Sequence, residues 1–376
     1  MKKQVIAMVM VGGRGTRLGN ITKSTAKPAV SFGGKYHLID FVLSNLTNSN
    51  ILTCGIITQY EPHELMSYIG HGSTWDLDVN EGGISFLTPY ATQNDQLWQN
   101  GTANAIHQHI KYIEQYNPDY VLILSGDHIY KMDYNDMINE HIKKEAEISI
   151  ATFTVDKNAS RYGILQSNEK GEVVSFEEKP EKPKSNQASM GIYVFNSKVL
   201  RELLELDGKQ NTDFGSDIIP LALENKLNVH AFEFNGYFRD VGTIESLYEA
   251  NMDLLDNPQY LKLREYVDFP VYAKSGNLPP HHIAEKCKVI NSLISDGCLI
   301  YGDLEHSILS SGVVIEHGSK IVDTIVHKNV RIGKLSYIKN AIIMENSVIL
   351  PNTKLVFNKV TVVDNEYLWK LGETNE

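Results

Sequence analysis

The sequence predicts an α/β domain built on a mostly parallel sheet, followed by a C-terminal left-handed parallel β-helix. Three observations predict it. Short apolar runs alternate with amphipathic segments over roughly the first 240 residues. A basic, glycine-containing segment follows the first apolar run, and beyond residue 283 apolar residues recur at a spacing of 17. Alternating strands and helices fold as parallel sheets, which bind ligands at the carboxyl ends of their strands.

Taken in order, the first run is Val5–Val11. Lys2 and Lys3 before it imitate a signal peptide. The run is short, has no small-x-small cleavage pattern and leads into Gly12-Gly13, so it reads as a buried strand. Further strands are Cys54–Thr58, Tyr120–Ser125, Ile148–Phe153, Gly191–Phe195 and Val229–Phe234. Their unbroken apolar character suits strands covered on both faces. Helical periodicity marks Ala103–Tyr116, Tyr134–Glu145, Ser197–Leu206 and Ile244–Leu255. Asn257-Pro258, Phe269-Pro270 and Leu278-Pro279-Pro280 punctuate the next stretch. The predicted division is residues 1–255, a linker at 256–282, and 283–376.

In the last part helical periodicity is absent. Ile308-Leu309 recurs as Ile325-Val326 and Ile342-Ile343, Val313 and Ile315 as Val330 and Ile332, and Ile321 as Ile338. Seventeen is one short of three hexapeptides, and NVRIGKLSYIKN has the look of one β-helix coil. One coil cannot bury its own apolar face, so several must stack. A meandering antiparallel sheet would not need a fixed period.

The 376 residues include 35 basic and 46 acidic side chains, for a formal charge of −11. That balance argues against nucleic acid and against an anionic membrane surface. No apolar run approaches the length of a membrane span. Cys54, Cys287 and Cys298 form neither a disulfide framework nor a zinc pattern, which favours a reducing, cytoplasmic location. The charge is unevenly placed: residues 1–39 hold seven basic residues and no acidic one, leaving −18 on the remainder.

The basic arm reads Gly12-Gly13-Arg14-Gly15-Thr16-Arg17-Leu18, then Ala26-Lys27-Pro28. Glycines let backbone N–H groups approach phosphate oxygens, and arginine holds phosphate bidentately. No Gly-Lys-Ser/Thr follows, so this is not a Walker loop, nor is it a GxGxxG fingerprint. An anion site is the reading.

These residues resemble the signature of sugar-nucleotide pyrophosphorylases. With AKPAVSFGGKYHLIDFVLSN, GIITQYEPHEL, LILSGDHIYKMDY, FEEKP, ASMGIYVF and YFRDVGT, nearly the whole chain resembles bacterial glucose-1-phosphate adenylyltransferases, or ADP-glucose pyrophosphorylases. The resemblance implies a Rossmann-like nucleotidyltransferase domain before the β-helix. It implies that ATP and glucose 1-phosphate give ADP-glucose and pyrophosphate, with Mg²⁺, for glycogen-like glucan synthesis. It implies a homotetramer, or a heterotetramer with a related regulatory subunit.

The resemblance also assigns roles. Arg17, Lys27 and Asp127 would be catalytic. Gly12, Gly13, Arg14, Gly15, Thr16, Gln59, Trp98, Gly101 and Thr102 would bind ATP. Gly163, Glu178, Lys179, Ser189, Tyr193, Asp213, Phe214 and Phe238 would bind the sugar phosphate. Asp127 and Asp240 would hold the metal, although alone either reads as a turn aspartate. Glu177–Lys184 alone reads as a solvated charged loop.

Four departures stand out. Thr25 and His37 replace arginines at positions the family associates with anionic effectors; with Lys35 they form a weak effector site, His37 gaining charge below its usual pKa of about 6.5. Gln99-Asn100 replaces Tyr-Arg after Trp98, and Phe238 replaces a sugar-stacking Trp. Other readings are a uridylyl-, thymidylyl- or guanylyltransferase, a weakly catalytic regulatory subunit, and an acyltransferase working through His306, His317 or His327. The retained Arg17, Lys27, Asp127 and Asp240 disfavour the second. The repeat has no insertion for a coenzyme site, so those three histidines read as surface residues. His63, His71, His107, His109, His281 and His282 read as surface or loop residues.

Overall fold

The strand Val5–Met10 lies inside a nine-stranded sheet, which explains its unbroken apolar sequence: Ile6, Ala7, Met8 and Val9 are all fully buried. The computed structural model describes residues 4–13, 15–23, 25–59, 62–89, 101–155, 159–207, 212–263 and 269–373. The chain divides into two compact units. One comprises residues 1–13, 41–126 and 130–238, the other 14–40, 127–129 and 239–376.

In the first unit, Val5–Met10 pairs in parallel with Thr53–Ile57 and Tyr120–Ser125, Ala7 facing Cys54 on one side and Leu122 on the other. Gly83–Leu87 extends the sheet in parallel. On the opposite side Gln187–Asn196 runs antiparallel to Tyr120–Ser125 and Ile148–Thr154. Val229–Glu233 pairs in parallel with Ile148–Thr154, and the antiparallel strands Gly163–Ser167 and Val173–Glu178 complete the edge. The Gln187–Asn196 strand begins four residues before the predicted Gly191 because Gln187, Ala188 and Ser189 pair with Thr154, Phe153 and Thr152, and a register shift between Ser189 and Tyr193 accommodates Gly191 at φ 69°. The helix predicted over Ala103–Tyr116 is two helices, Thr102–Gln108 and Ile110–Tyr116. His109 leaves helical geometry between them and is buried, not a loop histidine at the surface.

The second unit contains the repeat. Short parallel strands stack in three columns, as a left-handed β-helix requires. Ile300, Ile315, Ile332 and Ile349 form one buried ladder. Leu304, Ile321, Ile338 and Leu355 form a second, and Leu309, Val326, Ile343 and Val363 a third. The corners share the period. Gly312, Asn329 and Asn346, each 17 residues on, all have positive φ, which Gly and Asn adopt most readily. Asn329 Nδ2 donates to Asn346 Oδ1 at 3.2 Å, and Ser319 Oγ accepts from Ser336 N at 3.2 Å. Ile338→Ala removes one rung, and we expect a loss of about 2–5 kcal/mol, measured by denaturant unfolding; a change below about 1 kcal/mol would count against this core.

Helical structure returns after the last strand, contrary to expectation. Asn365–Glu373 is a helix whose start is capped by Asp364, Oδ1 accepting from Tyr367 N at 2.7 Å. Tyr367, Leu368 and Leu371 pack on the β-helix core, which supplies the apolar surface the helix needs. Upstream, Ile244–Asp256 starts with a reciprocal Thr243–Ser246 cap.

Candidate active site

The central feature lies in the second unit. Asp127 follows the strand Tyr120–Ser125 and Gly126, and Asp240 ends the strand Phe238–Asp240, which pairs with His128–Tyr130. This two-stranded pairing overcomes a separation of 113 positions. Lys27 opens a one-turn helix, Lys27–Ala29, and is buried. Its Nζ donates to Asp127 Oδ2 at 2.7 Å and to Asp240 Oδ1 at 3.2 Å. His128 Nε2 lies 3.5 Å from Asp127 Oδ1 and 3.9 Å from Asp240 Oδ1.

Electrostatics follow from this packing. Burial pulls the Lys27 ammonium down, but Asp127 and then Asp240 outweigh it and raise its pKa. Burial pushes the Asp240 carboxyl up, but His128 and Lys27 outweigh it and lower its pKa. Both groups are therefore charged at neutral pH. Lys27, expected to be catalytic, thus stands between the two aspartates.

Arg17 joins the cluster from the segment Thr16–Thr22. A Cβ on Gly242 would stand 3.0 Å from Arg17 Nη2 and 3.3 Å from Asp240 Oδ1. A side chain at 242 would crowd both groups. Gly15 adopts φ 61°, and its carbonyl accepts from Thr22 Oγ1 at 2.8 Å. Arg14 and Trp98, with Gln99 and Asn100, lie outside the described residues.

Two hard carboxylates converging on one cationic atom suit a divalent ion. Among the described residues no group of three His, Cys, Asp or Glu forms a cage. Mg²⁺ does not need one, since it takes one or two carboxylates and completes its shell with phosphate oxygens and water.

The first unit carries a second set. Glu178 lies between two glycines: a Cβ on Gly163 would be 2.8 Å, and one on Gly215 2.5 Å, from Glu178 Oε2. Lys179 holds a left-handed φ of 47° and pairs with Glu178 Oε1 at 2.8 Å, its ammonium exposed. Tyr193 stacks on Phe214, centroids 5.5 Å apart. Burial drives the Tyr193 phenol up to about 12, Ser189 opposing and Glu178 and Asp213 adding to it, so it remains a neutral donor.

Asp213 Oδ1 accepts from Thr102 N at 2.7 Å and Thr102 Oγ1 at 2.9 Å. A Cβ on Gly101 would collide with the Thr212 carbonyl. The Gly101-Thr102 and Asp213-Phe214 pairs, assigned to different substrates by sequence, are therefore neighbours. Gln59 lies against Gly12, its Cβ 3.1 Å and its Oε1 3.2 Å from where a Gly12 Cβ would be, while Gly13 faces open space. Phe238 packs on Phe153 at 4.6 Å and Tyr130 at 6.1 Å. His128, Gly215 and Gly242 are not among the residues that the sequence motifs single out. Each adjoins or lies close to a selected residue, and that proximity was the available signal.

Histidine expectations need correction. His37 is buried beside Lys328 and His327, and desolvation first, then those charges, lower its pKa to about 3. It stays neutral near pH 6.5 and does not restore anion affinity there. Thr25 is half-buried, and Lys35 Nζ lies 6.0 Å from the Tyr36 ring. His327 is buried, its pKa lowered to about 4 by desolvation and Lys328. His306 is also no free surface histidine: Nδ1 lies 2.8 Å from Asp323 and Nε2 3.0 Å from Asp256.

The profile of the nucleotidyl transferase family matches residues 6–257. The chain belongs to this family. Residues 279–365 match the GlmU-like C-terminal hexapeptide family, in agreement with the stacked coils. Proteins named glucose-1-phosphate adenylyltransferase from Bacillus thuringiensis (strain Al Hakam), Bacillus anthracis and Bacillus mycoides (strain KBAB4) are 51% identical to this chain over 356 residues, 94% of each chain. Nucleotidyl transferases generally use a divalent metal, which the Asp127–Asp240 pair suits. Among the described residues, no helix is long and apolar enough to cross a membrane.

Proposed function

We propose that this protein transfers the adenylyl group of ATP to glucose 1-phosphate, giving ADP-glucose and pyrophosphate. The observation that carries the reading is the convergence of Lys27, Asp127, Asp240 and Arg17, in a chain half identical to proteins named for that reaction. A phosphate oxygen of glucose 1-phosphate attacks the α-phosphorus. The α–β bridging P–O bond breaks, and its electron pair leaves with pyrophosphate. Two anions must approach and charge grows on the leaving group, so positioning and electrostatics carry the catalysis.

Arg17 binds the triphosphate, assisted by Arg14 and backbone N–H groups around Gly12, Gly13, Gly15 and Thr16. Lys27 holds the two aspartates at fixed spacing and adds positive charge beside the reacting phosphates. Asp127 and Asp240 hold Mg²⁺, which when bound neutralises phosphate charge. Gln59, Trp98, Gly101 and Thr102 form the adenine side. Lys179 takes the sugar phosphate, Glu178 and Asp213 accept from sugar hydroxyls, Tyr193 donates, and Gly163, Ser189 and Phe214 shape that wall. Residues 1–255 perform the chemistry, 256–282 link, and 283–376 serve assembly into a tetramer. Thr25, Lys35 and neutral His37 leave only a weak site for anionic effectors.

Pyrophosphate release measured with ATP, UTP, dTTP and GTP in turn tests the reading. ATP is expected to win by at least about tenfold in kcat/KM; preference for another nucleotide overturns the adenylyl assignment. Phe238 offers an apolar face without an indole N–H. Phe238→Trp is expected to lower the KM for glucose 1-phosphate by about threefold, through one added hydrogen bond and more stacking area. An unchanged or higher KM would remove Phe238 from the sugar wall.

A further inference from the structure

Arg17 stands on an irregular segment that is anchored from inside by the buried Leu18 and Ile21. Thr16–Thr22 is broken at Gly19, where φ is 56° and ψ −126°. Inside the segment, Leu18 N and Thr22 Oγ1 both donate to the Gly15 carbonyl, at 2.9 and 2.8 Å. Its far end is held from elsewhere. Asn20 Nδ2 donates to Asp364 Oδ2 at 2.8 Å, and Lys23 Nζ pairs with Glu366 Oε2 at 3.2 Å.

Asp364 is itself well fixed. It follows the strand Lys354–Val363, whose last residue is fully buried in the β-helix core. Its other oxygen, Oδ1, caps the C-terminal helix at Tyr367 N. Glu366 is braced by Lys370 at 2.8 Å. A single carboxylate thus ties the start of the last helix to the loop that carries Arg17.

We propose that Asn20 and Asp364 are positioning residues: the capped start of the C-terminal helix holds the Thr16–Thr22 loop so that Arg17 meets the triphosphate. The inference rests on the adenylyl-transfer reading above. The Asn20–Asp364 hydrogen bond is exposed to solvent, where such contacts add little stability. The contact acts on geometry instead, and a displacement near 1 Å of a positioning group costs up to about 100-fold. The repeat and the chemistry are thereby connected through two residues that touch no substrate.

Steady-state kinetics on the full chain test this with Asn20→Ala, Asn20→Asp and the double variant Asn20→Asp/Asp364→Asn. Asn20→Ala is expected to lower kcat/KM for ATP by about tenfold. Asn20→Asp sets two carboxylates face to face and lowers it further. The double variant restores one donor and one acceptor with polarity reversed, and its amide oxygen can still cap the helix; it is expected to return to within about threefold of wild type. KM for glucose 1-phosphate and the unfolding midpoint stay unchanged throughout. Single variants within about twofold of wild type overturn the inference, as does a loss that the double variant fails to rescue or that comes with a lower midpoint. An active wild type with indifferent variants ends this inference alone. A wild type that releases no pyrophosphate from ATP ends the underlying reading, and this one with it.

Discussion

Asp127→Ala is expected to lower kcat for pyrophosphate release by roughly 10³-fold, with KM for glucose 1-phosphate little changed. Asp127 supplies one of two carboxylates aimed at a single cationic position, with Oδ2 2.7 Å from Lys27 Nζ. In the proposed reading its loss leaves Asp240 as the single carboxylate facing the metal and halves the negative charge that attracts it. The sugar phosphate is, in the same proposed reading, held by other residues, Lys179, Glu178 and Tyr193, so its KM should not follow. Single-turnover and steady-state assays over a range of Mg²⁺ separate the outcomes. Activity equal to wild type would remove Asp127 from catalysis.

Lys27→Met should lower kcat by roughly 10²–10³-fold and should also change the pH profile. Lys27 is the cation paired with both aspartates. Without it, the Asp240 carboxyl loses one of the charges that hold its pKa down. The acidic limb of kcat/KM should therefore move to higher pH. The sign for stability follows from linkage. A depressed carboxyl stabilises the fold above its unfolded pKa, near 4, and that contribution fades as pH falls through the folded value. A raised ammonium stabilises below its unfolded pKa, about 10.4, and that contribution fades as pH rises through the folded value. The variant should be less stable than wild type between those limits, and the gap should narrow as falling pH protonates the Asp240 carboxyl. Denaturant unfolding at pH 7 and at pH 3 measures it. An unshifted acidic limb would mean that Lys27 does not set the charge state of this pair.

Much of the fold was legible because its signals are local or periodic. Val5–Met10 reads as a buried strand from apolar run length, and Ile308, Ile325 and Ile342 read as one column because each is 17 residues from the next. The strands Gly163–Ser167 and Val173–Glu178 are not legible in the sequence: half-polar and short, they owe their structure to pairing with each other. The C-terminal helix was missed for a related reason, since the β-helix core that it packs on is not visible in its own nine residues.

The site divides in the same way. Types of residue and their motifs, the basic arm above all, were determined by the sequence alone, because glycine, arginine and aspartate carry their chemistry wherever they stand. Which of them meet was decided only by the tertiary structure. Lys27, Asp127 and Asp240 are far apart along the chain, and a two-stranded pairing brings the segments of the two aspartates together, with both carboxylates within 3.2 Å of the Lys27 ammonium. Protonation was decided there too. His37 has an ordinary histidine's sequence context, yet burial beside two basic groups keeps it neutral. Sequence determines which groups can carry charge; the dielectric and the neighbours that set whether they do exist only after folding.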